Sequence, residues 1–187
     1  TAVGPRPLLR GGDPDTNPHR PLLLVRYYTR RLAVANQVFN IAKGRVTEYY
    51  NRVENNDPAT SKFTVVAINA GAATDDTIRG YDDLAALLAD VNVAEVTNTN
   101  YTRKDLTDTE LAALPAPDDV NDRYDLDLPD ITWTAIAAGD AWTDLVVCYN
   151  PTAGADSTLI PMTLHDFAVT PDGSDIVATT TNFFRAS

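Results

Sequence analysis

Apolar residues recur at helical spacing in two segments of the chain. Between Asn36 and Val53 they are separated by steps of four and three, which places them on one stripe of a helix. The second segment begins with Asp82 and Asp83, whose carboxylates favour the first turn of a helix. We therefore predict two helices, the first from Asn36 to Val53. Their buried faces are expected to hold Val38, Ala42, Val46, Tyr49 and Val53 in the first helix and Leu84, Leu87, Leu88 and Val91 in the second.

Short segments rich in β-branched residues predict strands, and they dominate the chain from about residue 93 onward. Residues 124–128 alternate strictly between apolar and acidic side chains, which predicts a strand buried on one face only. Pro171 to Ser174 has the composition of a hairpin turn. The other predicted strands lie at residues 63–68, 93–101, 131–134, 145–149, 159–169 and 176–180.

The predicted fold class is α+β. We expect mainly an antiparallel β-sandwich or small barrel with two helices, preceded by an extended N-terminal arm. With 187 residues the chain is long enough for one ordinary core and an arm. The predicted boundaries are an extended basic arm at residues 1–33 and a single α+β domain at residues 34–187, β-rich from about residue 93.

The arm is distinguished by its composition. Its first 21 residues hold five of the twelve prolines and three glycines, which disfavours helix and favours an extended or polyproline-like chain. Residues 22–31 mix apolar and aromatic residues with arginines, and Tyr and Arg are enriched at protein interfaces. The alternative for this segment is an N-terminal strand of the protein's own sheet. The partner-binding residues that we expect in the arm are Arg6, Arg10, Arg20, Leu22, Leu23, Leu24, Arg26, Tyr27, Tyr28, Arg30 and Arg31.

Charge is divided unequally along the chain. The net charge is −11, yet residues 1–50 carry eight Lys or Arg against three acids, so the remainder is strongly acidic. A basic end and an acidic body can associate head to tail with other copies, or place the arm on an acidic neighbour; a merely solubilising tail is the alternative. An acidic chain disfavours nucleic acid as a partner. No apolar stretch approaches membrane-spanning length, and the first residues lack a signal-peptide core, so we expect cytoplasmic synthesis and no membrane partner.

Candidate catalytic and metal-binding residues are few. His165 and Asp166 could serve Ser157 or Cys148, but adjacent strand residues face opposite ways and no nucleophile motif surrounds either candidate. Cys148 lies in an apolar run and is expected to be a small buried hydrophobe. We expect no cofactor, no metal site and no enzymatic activity.

The densest acidic cluster could bind calcium, since oxygen ligands gather there, but the calcium-loop spacing is absent. A turn stabilised by Asp and Asn side chains is the other interpretation. The cluster comprises Asp118, Asp119, Asp122, Asp125, Asp127 and Asp130.

Five segments of the chain have a familiar sequence: residues 38–50 (VFNIAKGRVTEYY), 81–88 (YDDLAALL), 111–119 (LAALPAPDD), 165–175 (HDFAVTPDGSD) and 183–186 (FFRA). These segments resemble a family of small virion-associated proteins encoded among the structural genes of tailed phages of actinobacteria. The resemblance covers the chain from about Val38 onward and does not include the arm. It implies a head decoration, cement or minor capsid protein, or a component of the tail or its fibres, present in many symmetry-related copies.

Together these features predict a structural phage protein located in the virion and assembled in the host cytoplasm. The leading hypothesis is a capsid decoration or minor capsid protein whose arm binds the major capsid protein or other virion proteins, with the chain a homo-oligomer in the particle. The alternative is a tail or fibre component that binds a host-surface saccharide, with Trp133 and Trp142 as a stacking platform beside the acidic cluster. A cell-wall hydrolase that uses the abundant acids is a third hypothesis.

Overall fold

A computed structural model describes residues 27–32, 37–180 and 182–187, the first segment by its backbone alone. These residues form eleven strands and three α-helices, together with 3-10 turns at Asn40–Ala42 and Asp156–Thr158. The helices are α1 (Val46–Glu54), α2 (Asp75–Ile78) and α3 (Leu84–Leu88). The strands are β1 (Tyr27–Leu32), β2 (Gln37–Val38), β3 (Lys62–Asn69), β4 (Ala94–Glu95), β5 (Lys104–Leu106), β6 (Tyr124–Leu126), β7 (Ile131–Trp133), β8 (Trp142–Asn150), β9 (Ile160–Val169), β10 (Asp175–Thr180) and β11 (Phe184–Ala186).

The strands form three sheets. The largest has six strands in the order β2-β9-β8-β3-β4, with β5 also paired to β3, and all its pairings are antiparallel. A three-stranded sheet has the order β1-β10-β7, and β11 pairs with β6 in a separate two-stranded sheet. Only the β1–β10 pairing is parallel among these strands. The fold is therefore α+β and mostly antiparallel, as predicted, and the described strands form a sandwich-like arrangement without closing into a barrel.

The large sheet is buried on both faces because its central strands alternate between two hydrophobic clusters. On β3, Val65 and Ala67 face a cluster that includes α1, β7 and β10, whereas Val66 and Ile68 face a second cluster formed with α2 and α3. This alternation is the two-residue period of a strand, applied to apolar side chains on both sides. The large sheet consequently lies between the two short helices and the smaller sheets.

The first helix begins later than predicted. The prediction placed its start at Asn36, but α1 begins at Val46 and is preceded by β2 and a 3-10 turn. Gly44 adopts a left-handed φ of 76°, which a continuous right-handed helix cannot contain. Val46, Tyr49 and Val53 are nevertheless buried, so the apolar stripe was assigned correctly within the helix itself.

The second predicted helix corresponds to α3, and α2 is a further short helix that the sequence did not indicate. Leu84 and Leu87 are buried as expected, but Val91 is 96% exposed, so its assignment to the buried face was wrong. The helix ends at Leu88 because the Asp90 carboxylate accepts the backbone N–H of Asn92, at 2.9 Å, and forms a turn instead.

Residues 93–101 contain a shorter strand than predicted. Only Ala94–Glu95 pairs with β3. The rest is a loop held by side chains, with the amide of Asn98 donating to the carbonyl oxygens of Ala137 and Asp140. These hydrogen bonds tie the loop to the segment between β7 and β8 in place of a strand ladder.

The hairpin expected at Pro171–Ser174 is a connection between two sheets instead. β9 belongs to the large sheet, whereas β10 pairs with β1 and β7. Gly173 and Ser174 form backbone hydrogen bonds with Ile136, in the loop after β7. The left-handed φ of 98° at Gly173 supports a sharp turn at this crossover.

Candidate interaction surface

The strand β1 lies within the predicted arm, residues 1–33. Its backbone pairs in parallel with β10, with Tyr27 opposite Asp175 and Leu32 opposite Thr180. Because β10 lies between β1 and β7, β1 is an edge strand of this sheet. Residues 27–32 therefore correspond to the alternative that the sequence left open, a strand of the protein's own sheet.

The predicted contact residues of the arm fall into two groups. Only the backbone of Tyr27, Tyr28, Arg30 and Arg31 is described. The residues outside the described part of the chain are Arg6, Arg10, Arg20, Leu22, Leu23, Leu24 and Arg26.

The acidic cluster begins with a turn that its own side chains stabilise. The Asp118 carboxylate accepts the amide of Asn121 at 2.7 Å and the guanidinium N–H of Arg123 at 3.0 Å. These hydrogen bonds lower the pKa of the Asp118 carboxyl, and the hydrogen bond from Asn121 contributes most. The turn stabilised by Asp and Asn side chains is therefore observed.

Asp125 and Asp130 connect β6 and its following segment to the C-terminal strands. Asp125 accepts two hydrogen bonds from Arg185, at 2.5 and 2.9 Å, and this pairing lowers the pKa of Asp125. Asp130 accepts the backbone N–H of Thr180 at 3.0 Å. Among residues 37–180 and 182–187, no three His, Cys, Asp or Glu side chains are grouped to hold a metal ion. The carboxylates of Asp118, Asp125 and Asp130 therefore bind protein N–H groups.

Two depressions meet at Asp118. One is an open depression of about 370 Å³ and the other is a more enclosed groove of about 200 Å³. We call their combined lining the acidic surface, because five aspartates and one arginine give it a formal charge of −4. Its acids are Asp118, Asp119, Asp122, Asp125 and Asp127, and its apolar lining includes Tyr50, Ala112, Ala113, Ala116 and Tyr124.

The predicted tryptophan platform is wrong, because Trp133 and Trp142 are each only 1% exposed. Their rings contact one another edge to face at 5.2 Å. Each indole N–H is also used internally: Trp133 donates to the carbonyl of Thr102 and Trp142 to the side-chain oxygen of Asn98, both at 2.9 Å. Buried rings with satisfied N–H groups serve the core and cannot stack on a saccharide.

Two of the candidate catalytic residues, His165 and Cys148, lie on opposite faces of the large sheet. His165 lies opposite Leu145, on the sheet face that packs toward the smaller sheets, whereas Cys148 lies in the cluster with α2 and α3. Both side chains are buried. Cys148 is thus the small buried hydrophobe that was predicted, and burial raises the pKa of its thiol. Asp166 is exposed on the opposite side of its strand from His165.

A charged network that the sequence did not indicate is centred on Arg103. Its guanidinium donates two hydrogen bonds to Glu95, at 2.8 and 2.5 Å, and two to Asp156, at 2.5 and 2.9 Å. The hydroxyl of Tyr101 also donates to Glu95, at 3.2 Å. The network fastens the loop before β5 to β4 and to the second 3-10 turn. Because Asp156 is 53 residues from Arg103 along the chain, no local spacing could predict this contact.

Comparison of the chain with protein-family models, with curated proteins and with solved structures returns no match. Within the described residues, no helix is long and apolar enough to cross a membrane.

Proposed function

We propose that this chain is a structural protein of a tailed-phage virion, a capsid decoration, cement or minor capsid protein whose N-terminal arm binds neighbouring capsid subunits. It is assembled into the particle in the host cytoplasm, and it acts through protein contacts with the major capsid protein or other virion proteins. Support from the sequence comes from its resemblance to virion-associated proteins and from the basic arm on an acidic body.

The structural observation that carries the proposal is the anchoring of the arm. The chain that precedes Tyr27 leads directly into a strand paired along six residues with β10. A backbone ladder resists separation because its hydrogen bonds must break together with the packing of the sheet. A load on the arm would thus be transmitted to the sandwich, as a protein that holds capsid subunits together requires.

The alternative hypothesis, a tail or fibre component that binds a saccharide, loses its main support. Trp133 and Trp142 belong to the core, so the aromatic platform on which that hypothesis depended does not exist. No other described feature favours it.

Immunogold labelling of purified particles tests the location. An antibody against the chain is expected to label heads at many positions. Labelling confined to tails, or the absence of the chain from purified particles, would contradict the proposal.

A further inference from the structure

We infer that the acidic surface binds residues 1–26 of a second copy of this chain. The inference rests on the proposed function, in which the arm is the contact element, and it names the receiving partner. Neighbouring copies in a particle would then be linked head to tail, arm to acidic surface, in a heterologous contact.

The shape and lining of the acidic surface suit such a segment. The groove has an apolar lining of small residues, including Ala112, Ala113 and Ala116, with aspartates beside them. Val120, at the tip of the adjoining turn, is 91% exposed and adds an apolar contact. A proline-rich sequence with interspersed leucines and arginines can place apolar groups in a shallow groove and guanidinium groups on its rim.

Charge complementarity favours this occupant. Residues 1–26 hold four arginines against two aspartates, facing a surface of formal charge −4. Asp118 and Asp125 are engaged by Arg123 and Arg185. Asp119 and Asp122 are exposed and accept no hydrogen bond among the described residues, so their carboxylates are available to incoming guanidinium groups.

The position of β1 separates the attachment point of residues 1–26 from the acidic surface of the same molecule. Tyr27 lies beside Asp175, at the start of β10, whereas the end of β10 at Thr180 leads into β11, whose Ala186 lines the acidic surface. The start and end of β10 are separated by about 17 Å, from the strand rise per residue. Because β1 runs parallel to β10, residues 1–26 join the domain at the end remote from the acidic surface. A chain of 26 residues can span up to about 90 Å, enough to reach a neighbour.

Complementation between two full-length variants tests the inference. The first carries Asp119→Lys and Asp122→Asn, which weakens the surface; Asn tolerates the left-handed φ of 48° at residue 122. The second carries Arg6→Glu and Arg10→Glu, which weakens the arm. Sedimentation velocity is measured for each variant, for their equimolar mixture and for the wild-type chain. Asp108→Lys, an exposed change outside the acidic surface, is the charge control.

The wild-type chain and the Asp108 control are expected to self-associate, and more weakly as salt increases. The oligomer of each double variant should dissociate at a concentration at least about tenfold higher than the wild-type oligomer does. The equimolar mixture should form a heterodimer, because one variant keeps an intact arm and the other keeps an intact acidic surface. The inference would be overturned if the wild-type chain is monomeric. It would also be overturned if the surface variant unfolds at the wild-type midpoint and associates as strongly as the wild-type chain. A chain that self-associates but is absent from particles would refute only the proposed function. One that enters particles yet stays monomeric would refute only this inference.

Discussion

The indole N–H of Trp142 donates a hydrogen bond of 2.9 Å to the side-chain oxygen of Asn98, and both residues are buried. Asn98 also binds the carbonyls of Ala137 and Asp140 through its amide. One side chain thus connects β8 to two loops. The loop after β4 depends on this contact.

Trp142→Phe should lower the free energy of unfolding by about 2 kcal/mol, because it leaves a buried acceptor on Asn98 without its donor and removes part of the ring packing. Urea unfolding followed by circular dichroism measures the change. Val91→Ser, at an exposed position, should leave the midpoint unchanged. Equal stability of Trp142→Phe and the wild-type chain would show that the hydrogen bond contributes nothing.

Arg103→Lys should destabilise the fold by about 1–2 kcal/mol, because a lysine cannot form paired hydrogen bonds with two carboxylates at once. The matched control is Arg79→Lys, whose partner Asp76 is mostly exposed, and a pair of that kind contributes little. The urea midpoints of the two variants make the comparison. A loss of the same size in both would refute a special role for the Arg103 network.

Asp144 introduces a pH dependence of stability. Burial raises the pKa of its carboxyl, and repulsion from Asp166 and Asp75 adds to the shift. The folded protein therefore holds this proton more tightly than the unfolded chain, so stability falls as pH rises from the unfolded pKa through the folded one.

Asp144→Asn should raise the unfolding free energy at neutral pH by about 1 kcal/mol and remove the fall in stability that this carboxyl contributes as pH rises. The Asn oxygen can still accept the Thr143 hydroxyl, which lies 2.6 Å from the carboxylate. Thermal unfolding from acidic to neutral pH measures both effects, with the exposed Asp108→Asn as the control. A lower stability of Asp144→Asn at neutral pH would contradict this interpretation.

The thiol of Cys148 should not react with a disulfide reagent in the folded protein, because it is fully buried and its raised pKa leaves little thiolate. Reaction should follow global unfolding as denaturant increases. In Ser157→Cys, which places a second thiol at an exposed position, one thiol should react at once. Rapid labelling of the native wild-type chain would show that the core opens locally around β8.

The sequence predicted those elements whose signals are local. The run at residues 63–68 was recognised by its β-branched composition. The alternation at residues 124–128 was recognised because a half-buried strand buries every second side chain. The start of α1 was missed because the apolar spacing continues across Gly44, whose left-handed conformation no periodicity reveals.

Contacts between distant residues were not predictable. The turn at residues 171–174 has a hairpin composition, yet the strand that follows it pairs with β1 and β7 and not with the preceding strand β9. The acidic cluster was recognised as a turn, but its pairing with Arg185, 60 residues from Asp125, depends on tertiary structure. The tryptophans were misassigned because an aromatic residue in a strand has the same sequence signal whether it faces solvent or the core.

The arm should govern incorporation into particles. Deletion of residues 1–26, which leaves β1 in place, removes the proposed contact segment and should reduce the copy number per particle at least about tenfold, since the body alone keeps few of the contacts. Replacing Arg6, Arg10, Arg20 and Arg26 with glutamine should give an intermediate loss, and replacing them with lysine a smaller one, because lysine keeps the charge.

The most direct measurement is therefore the copy number of this chain in purified particles, determined by quantitative mass spectrometry for the wild-type chain and for the deletion of residues 1–26. The deletion must unfold at the wild-type midpoint for the comparison to hold. A large loss of incorporation is the predicted result. Unchanged incorporation of the folded deletion would contradict the claim that the arm makes the contacts.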